Sequence, residues 1–148
     1  MPNSLTDPIR ANSFTLKLQG GIEAFFREAS GFSSENEVIE HKQQGPKGVV
    51  QYIKQPGNLK WENITLKRGI TDDQKIWEWR KQVIDGKIEQ ARQDGSIMGY
   101  NEEGVLQIQY DFVRGWPCKW SAAAMNADAN EIILEEIEIA HEGLKRVK

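Results

Sequence analysis

The feature that most restricts this chain is a period-two alternation that recurs along it. Leu106, Ile108, Tyr110 and Phe112 alternate with Gln107, Gln109 and Asp111, the pattern of a strand with one buried face and one wet face. Residues 13–19 repeat it, with Phe14, Leu16 and Leu18 set against Thr15 and Lys17. Gly20-Gly21 ends that run, and residues 22–30 read as its hairpin partner, closed by Gly31. Residues 96–100 and 105–113 form a further hairpin across Asn101, Glu102, Glu103 and Gly104. Trp116-Pro117 opens a short segment ending near Trp120, residues 121–130 are a small polar loop, and residues 131–141 are a last, acid-rich strand before a charged tail.

One segment carries the helical period instead. Pro56-Gly57 punctuates the chain ahead of a strand over residues 59–67, in which Leu59 and Trp61 take one face and Ile64 and Leu66 the other. The change of phase around Glu62 and Asn63 predicts a bulge or a crossing between two sheets. Thr71 with Gln74 three residues on makes a capping box, and Asp72 and Asp73 suit the positive end of a helix. Ile76, Trp79 and Val83 then share a stripe, widened by Trp77 and Ile84, and Gly86 stands at the C′ position. A single packed helix is expected over about residues 72–85. Trp77 and Trp79 point roughly 160° apart on it, so Trp79 enters the core while Trp77 needs a neighbouring loop or a partner. Trp77 and Arg80 are therefore candidates for the helix's interaction surface.

Residues 38–42 and 49–55 flank Gly45-Pro46-Lys47-Gly48, strong turn chemistry. Here the alternation fails. Val38 and Ile39, Val49 and Val50, and Tyr52 and Ile53 are adjacent apolar pairs that point to opposite faces. A strand apolar on both faces needs cover on both. Either this hairpin folds over its own core, or it is an arm, about residues 38–55, that lies against a second subunit.

The totals exclude several classes. The 148 residues fit one domain, 1–148, and 39% hydrophobic against 28% charged residues allows a packed core. Nineteen basic residues against 22 acidic ones, a formal charge of -3, offer no footprint for nucleic acid. Cys118 is the one cysteine, so no internal disulfide or thiol cluster forms. The amino terminus lacks a secretory pattern and no run of apolar residues spans a bilayer, so synthesis and folding in the cytosol, without membrane insertion, are expected.

Nothing in the chain reads as a catalyst. His41 and His141 lie a hundred residues apart, each beside glutamate, and read as solvated or interface residues; a small hydrolase using His141 and a nearby carboxylate is the enzymatic rival. Cys118, near two tryptophans, reads as a small buried hydrophobe. Glu131, Glu135, Glu136 and Glu138 read as the wet face of the last strand rather than converging carboxylates. Asn126, Asp128 and Asn130 resemble a calcium loop without its central glycine or its terminal bidentate glutamate. No metal, no cofactor and no enzymatic activity are expected.

Four stretches in order, KWENITLKRGITDD (residues 60–73), WEWR (77–80), WPCKW (116–120) and NADANEIILEEIEIAHEGL (126–144), resemble the tail tube family of contractile-tailed phages and contractile injection systems. DPIRANSFTLKLQGG (7–21) and AFFREASGF (24–32) fit its first strands, so the resemblance covers nearly the whole chain. It implies a mainly β fold, an antiparallel barrel or sandwich with one packed helix, whose 38–55 hairpin reaches between subunits through Val38, Ile39, Val49, Val50, Tyr52 and Ile53. It also implies a structural role without chemistry, as a virion component or injection particle. Hexameric rings would stack into a cylinder that conducts tape-measure or effector cargo, with a contractile sheath outside and baseplate, spike and terminating proteins at the ends. Cys118 stands where the family pattern suggests serine. A lumen needs polar walls, for which Gln107, Gln109 and Asp111, or Glu136 and Glu138, are candidates. The alternatives are a secretion-system ring protein that chaperones effectors, and an adaptor at the tube tip or baseplate.

Overall fold

The structure is a computed structural model and describes residues 8–122 and 133–148. The chain divides into two compact units: an insertion, Ser33–Glu62, and a body made from the residues on either side of it.

Among the described residues the body holds eight strands. They are β1 (Ser13–Leu18), β2 (Glu23–Phe26), β3 (Glu28–Ser30), β6 (Ile64–Gly69), β7 (Gln93–Tyr100), β8 (Leu106–Ala122), β9 (Leu134–Ala140) and β10 (Gly143–Arg146). Their order is β2-β1-β7-β8-β9-β6-β3, with β10 added beside β8, and every pairing is antiparallel. The expected mainly β fold is present as an open sheet bent over its own core rather than as a closed barrel. Its two end strands, β2 and β3, follow one another in the chain through Arg27, whose N–H donates to the Lys67 carbonyl of β6 at 2.9 Å.

Alternation explains the core. Leu16, Leu18, Ile97 and Phe112 from one half of the sheet meet Ile64, Leu66, Ile137 and Ile139 from the other, each 2% exposed or less. Helix α1 (Lys75–Ile84) adds Ile76 and Trp79 to the same cluster. Full burial of a side chain of this size stabilises by about 1.5–3 kcal/mol, so this cluster holds the body together.

Several boundaries differ from expectation, each for a local reason. The 105–113 strand and the 116–120 segment are one bent strand, β8. At its bend Arg114 adopts a left-handed φ of 49° and gives its N–H to the Asp94 carboxylate at 3.0 Å. Phe112 points inward before the bend and Gly115 and Pro117 after it, so a one-residue slip breaks the period-two pattern. The Arg114 guanidinium also pairs with Glu89 and Glu142, which raises its pKa, with the Glu142 hydrogen bond the largest cause. Residues 22–30 split into β2 and β3 at Arg27, and the charged tail is an ordered strand, β10, paired to β8.

Helix α1 starts at Lys75, later than the capping box implies. Thr71 Oγ1 accepts from the Asp73 N–H and Asp73 Oδ1 from the Lys75 N–H, two local turns that consume the capping side chains before the helix begins. Its end follows expectation: Gly86 has φ 81°, and the Lys87 N–H reaches back to the Gln82 carbonyl at 2.8 Å, closing a Schellman turn. A short second helix, α2 (Ile88–Ala91), is too brief to show a period, and its Ala91 carbonyl accepts the Trp79 indole N–H at 2.7 Å.

The insertion is a two-stranded antiparallel ribbon, β4 (Ser34–Gln44) with β5 (Val50–Trp61). The turn at Pro46–Gly48 puts Lys47 in the left-handed region at φ 63°. The expected break at Pro56-Gly57 is absent. Pro56 pairs with Val38 where a bulge shifts the register, a place that tolerates a residue without an N–H. The break falls instead at Glu62-Asn63, between β5 and β6, where the apolar phase changes. On the body side, Gly31 has φ 92°, and a Cβ there would lie 2.0 Å from the Asn63 carbonyl oxygen, so the chain leaves the body through a position that only glycine fits.

Candidate assembly surfaces

The ribbon carries the first candidate surface. In the register of β4 and β5, Ile39 and Ile53 share one face while Val38, Val50 and Tyr52 share the other. With Val49, these side chains are between 37% and 64% exposed in the single chain. Every residue of β4 is exposed, and the ribbon has no apolar interior of its own. Exposed apolar side chains on both faces of one element make it a candidate for an interaction surface.

The second lies on α1. Trp77 is 37% exposed and leans on Trp120 of β8, ring centroids 4.9 Å apart. Its cover is thus a strand side chain. Arg80 is tied down more than its place on the helix exterior implies, with Nη1 donating to the Pro117 carbonyl at 3.0 Å.

The two sets of lumen candidates fall on different halves of the sheet. Gln107 sits at a register shift, between the pair Gly99 with Ile108 and the pair Tyr100 with Leu106, and is not brought onto a face with the others by that register. Gln109 and Asp111 lie on the outer face of the half formed by β2, β1, β7, β8 and β10. There Asp111 accepts from Ser96 Oγ at 2.7 Å and from Gln109 Nε2 at 3.0 Å. Glu136 and Glu138 lie on the outer face of the half formed by β8, β9, β6 and β3, where Glu138 accepts from Asn63 Nδ2 at 2.8 Å. Both halves turn their inner faces to one core, so the two outer faces look away from each other.

Glu135 is a correction. It occupies the inward phase with Ile137 and Ile139, not the wet face, and its Oε1 accepts from Arg68 Nε at 2.9 Å with the side chains 4% and 7% exposed. Arg68 lies in the same inward phase of β6 as Ile64 and Leu66, and its guanidinium sits 5.3 Å from the centre of the Phe26 ring. Opposite charges at matching inward positions of two strands were the available signal.

The residues weighed for chemistry stay apart. His141 packs beside the Phe112 ring at 6.3 Å, and His41 lies in the ribbon opposite Ile53. Cys118 is half-buried, its Sγ contacting the Glu138 carbonyl at 3.4 Å; burial, then the Glu138 charge, push its thiol pKa up. A depression of about 660 Å³ over the first outer face is lined by Lys17, Asp94, Ser96 and Asp111 among others, with no histidine or cysteine. Asn126, Asp128, Asn130 and Glu131 lie outside the described residues.

Comparison with known proteins gives a consistent answer. The family model for the T4-like virus tail tube protein gp19 matches residues 10–145. No curated protein sequence matches the chain. Among solved structures, the sheath–tube complex of an extracellular contractile injection system, PVC, in its extended state contains a chain that superposes with a TM-score of 0.79 at 20% identity, covering 99% of this chain and 98% of that one. The tube-terminating cap of the anti-feeding prophage gives 0.74 at 21% identity, over 99% and 95%. Hcp1 from Salmonella typhimurium gives 0.60 at 16% identity, over 93% and 86%. Identities this low establish a shared fold.

Proposed function

This chain belongs to the T4-like virus tail tube protein family, and from that membership we propose that it is the inner-tube protomer of a contractile tail or injection device. Copies join into hexameric rings, and the rings stack into a hollow cylinder. Ring closure needs a head-to-tail interface that returns on itself, and stacking needs a second that does not. The ribbon supplies one of them, laying Val38, Ile39, Val49, Val50, Tyr52 and Ile53 against a neighbouring copy. Ribbon and body together act as one tube domain. The observation that carries this reading is the family match across residues 10–145, which includes the whole ribbon and both halves of the sheet.

By analogy with the sheath–tube, cap and baseplate assemblies in which similar chains were seen, a contractile sheath surrounds the tube. A terminator closes one end, a baseplate or spike the other, and tape-measure or effector cargo occupies the bore. The protein works by shape and stiffness, without catalysis or a cofactor. It assembles in the cytoplasm and acts within a virion tail or an extracellular particle. No helix among the described residues is long and apolar enough to cross a membrane.

Negative-stain microscopy of the purified protein tests the reading. Rings or cylinders of uniform bore are expected. Monodisperse monomers at high concentration would overturn it, and isolated rings that stabilise a co-expressed effector would move it to a secretion-system ring.

A further inference from the structure

We propose that neighbouring copies join by pairing the outer edge of β10 on one with the outer edge of β2 on the next. The strands run parallel, in the register that sets Lys145 beside Glu23 and Val147 beside Phe25. This rests on the tube-protomer reading and adds which edges meet, in which direction and in which register.

Direction comes from topology. Four antiparallel steps lead from β2 through β1, β7 and β8 to β10, so β2 and β10 run the same way. Rotation about a ring axis preserves strand direction. An edge of one copy therefore meets the opposite edge of the next in parallel.

Hydrogen-bonding parity fixes which residues are free to pair. The Val147 N–H donates to the Gln109 carbonyl at 3.0 Å, so Lys145 and Val147 spend their backbone groups on β8 while Arg146 turns its own outward. On β2 the Leu18 N–H donates to the Ile22 carbonyl at 2.8 Å, so Ala24 and Phe26 face β1 while Glu23 and Phe25 turn outward. The same series continues at Arg27, whose N–H leaves the sheet's β1 side for Lys67. Beyond Arg27, which bonds to β6, no strand among the described residues takes up Glu23 and Phe25 of β2 or Arg146 of β10. A parallel ladder asks that one residue bridge two on its neighbour. Arg146 can give its N–H to the Glu23 carbonyl and take the Phe25 N–H on its own carbonyl, with Ala24 opposite.

Side chains then match in that same register. Reading across the outer face, Glu23, Lys17, Ser96, Asp111 and Lys145 form one row. The next copy's Glu23 would follow Lys145 and continue the alternation of charge. One row along, Phe25 is 68% exposed and Val147 44% exposed, and each would cover the other. A two-fold pairing of β10 with itself, centred on Arg146 or on Lys145, instead sets that basic residue against its own copy, which like-charge repulsion opposes. The joined row holds two acids and two bases per copy. The surface carrying Gln109 and Asp111 would thus be a charge-balanced girdle, a wall that lets charged cargo slide.

Charge reversal and cross-linking test it together. Glu23→Lys or Lys145→Glu alone should raise the protein concentration needed for rings about tenfold, and the two combined should restore it to within about twofold. In a Cys118→Ser background, Glu23→Cys with Lys145→Cys should oxidise to covalent multimers, while Glu23→Cys with Arg146→Cys, whose side chain points to the other face, should not. Rings of the unaltered protein, together with assembly indifferent to both charge reversals and no 23–145 cross-link, would overturn this pairing and leave the tube reading intact. Absence of rings from the unaltered protein would overturn both.

Discussion

The body and the ribbon are built from the same strand geometry and have opposite energetics. In the body, inward positions of β1, β6, β7, β8 and β9 converge on one cluster at 2% exposure or less. In the ribbon, twenty-three strand residues pair with each other and bury almost nothing. A lone two-stranded ribbon is marginal in water, so backbone pairing alone does not account for keeping this segment extended. Burial holds the body together by itself, whereas the exposed faces of the ribbon are what the proposed neighbouring copy would cover.

That contrast can be broken or sharpened by substitution, ranked by effect on the stability of the body. Arg68→Ala should cost about 3–5 kcal/mol by leaving Glu135 buried and unpaired, read from the urea midpoint. Replacing Arg68 and Glu135 together by Met and Leu should recover much of that loss. Gly31→Ala should cost about 1–3 kcal/mol, since it adds left-handed strain to a contact with the Asn63 carbonyl that the backbone cannot relax. In the ribbon, Tyr52→Asp with Ile53→Asp should move the midpoint by less than about 0.5 kcal/mol, the usual range for exposed sites, yet remove rings and cylinders from micrographs. A large loss of stability from that pair would erase the distinction between the regions. Smallest is Cys118: with its pKa raised by burial, its thiolate fraction at neutral pH falls below that of an exposed cysteine. Alkylation should be correspondingly slow and should accelerate as pH rises.

The sequence made the body's alternating strands legible, along with the helix stripe and its Gly86 ending, because one wet face and one dry face leave a clean period. It also exposed the ribbon, because adjacent apolar pairs such as Tyr52-Ile53 violate that period. Reading failed where a local event intervened. The slip at Arg114 hid the continuity of β8, and Thr71 and Asp73 spent their capping groups one turn early. Glu135 reads as a wet-face acid beside Glu136 and Glu138, although its spacing to Ile137 and Ile139 places it inside. The two sets of polar candidates could not be told apart from sequence, since only strand order places Gln109 and Glu138 on faces that look away from each other.

Hydrogen exchange of residues 34–61, compared with the body in dilute monomer and in assembled material, tests the central claim most directly. The account predicts slow exchange in β1, β6, β7 and β9 in both states, and protection of the ribbon amides only after assembly. Ribbon amides as protected in the dilute monomer as those of the body, with no further change on concentration, would contradict it.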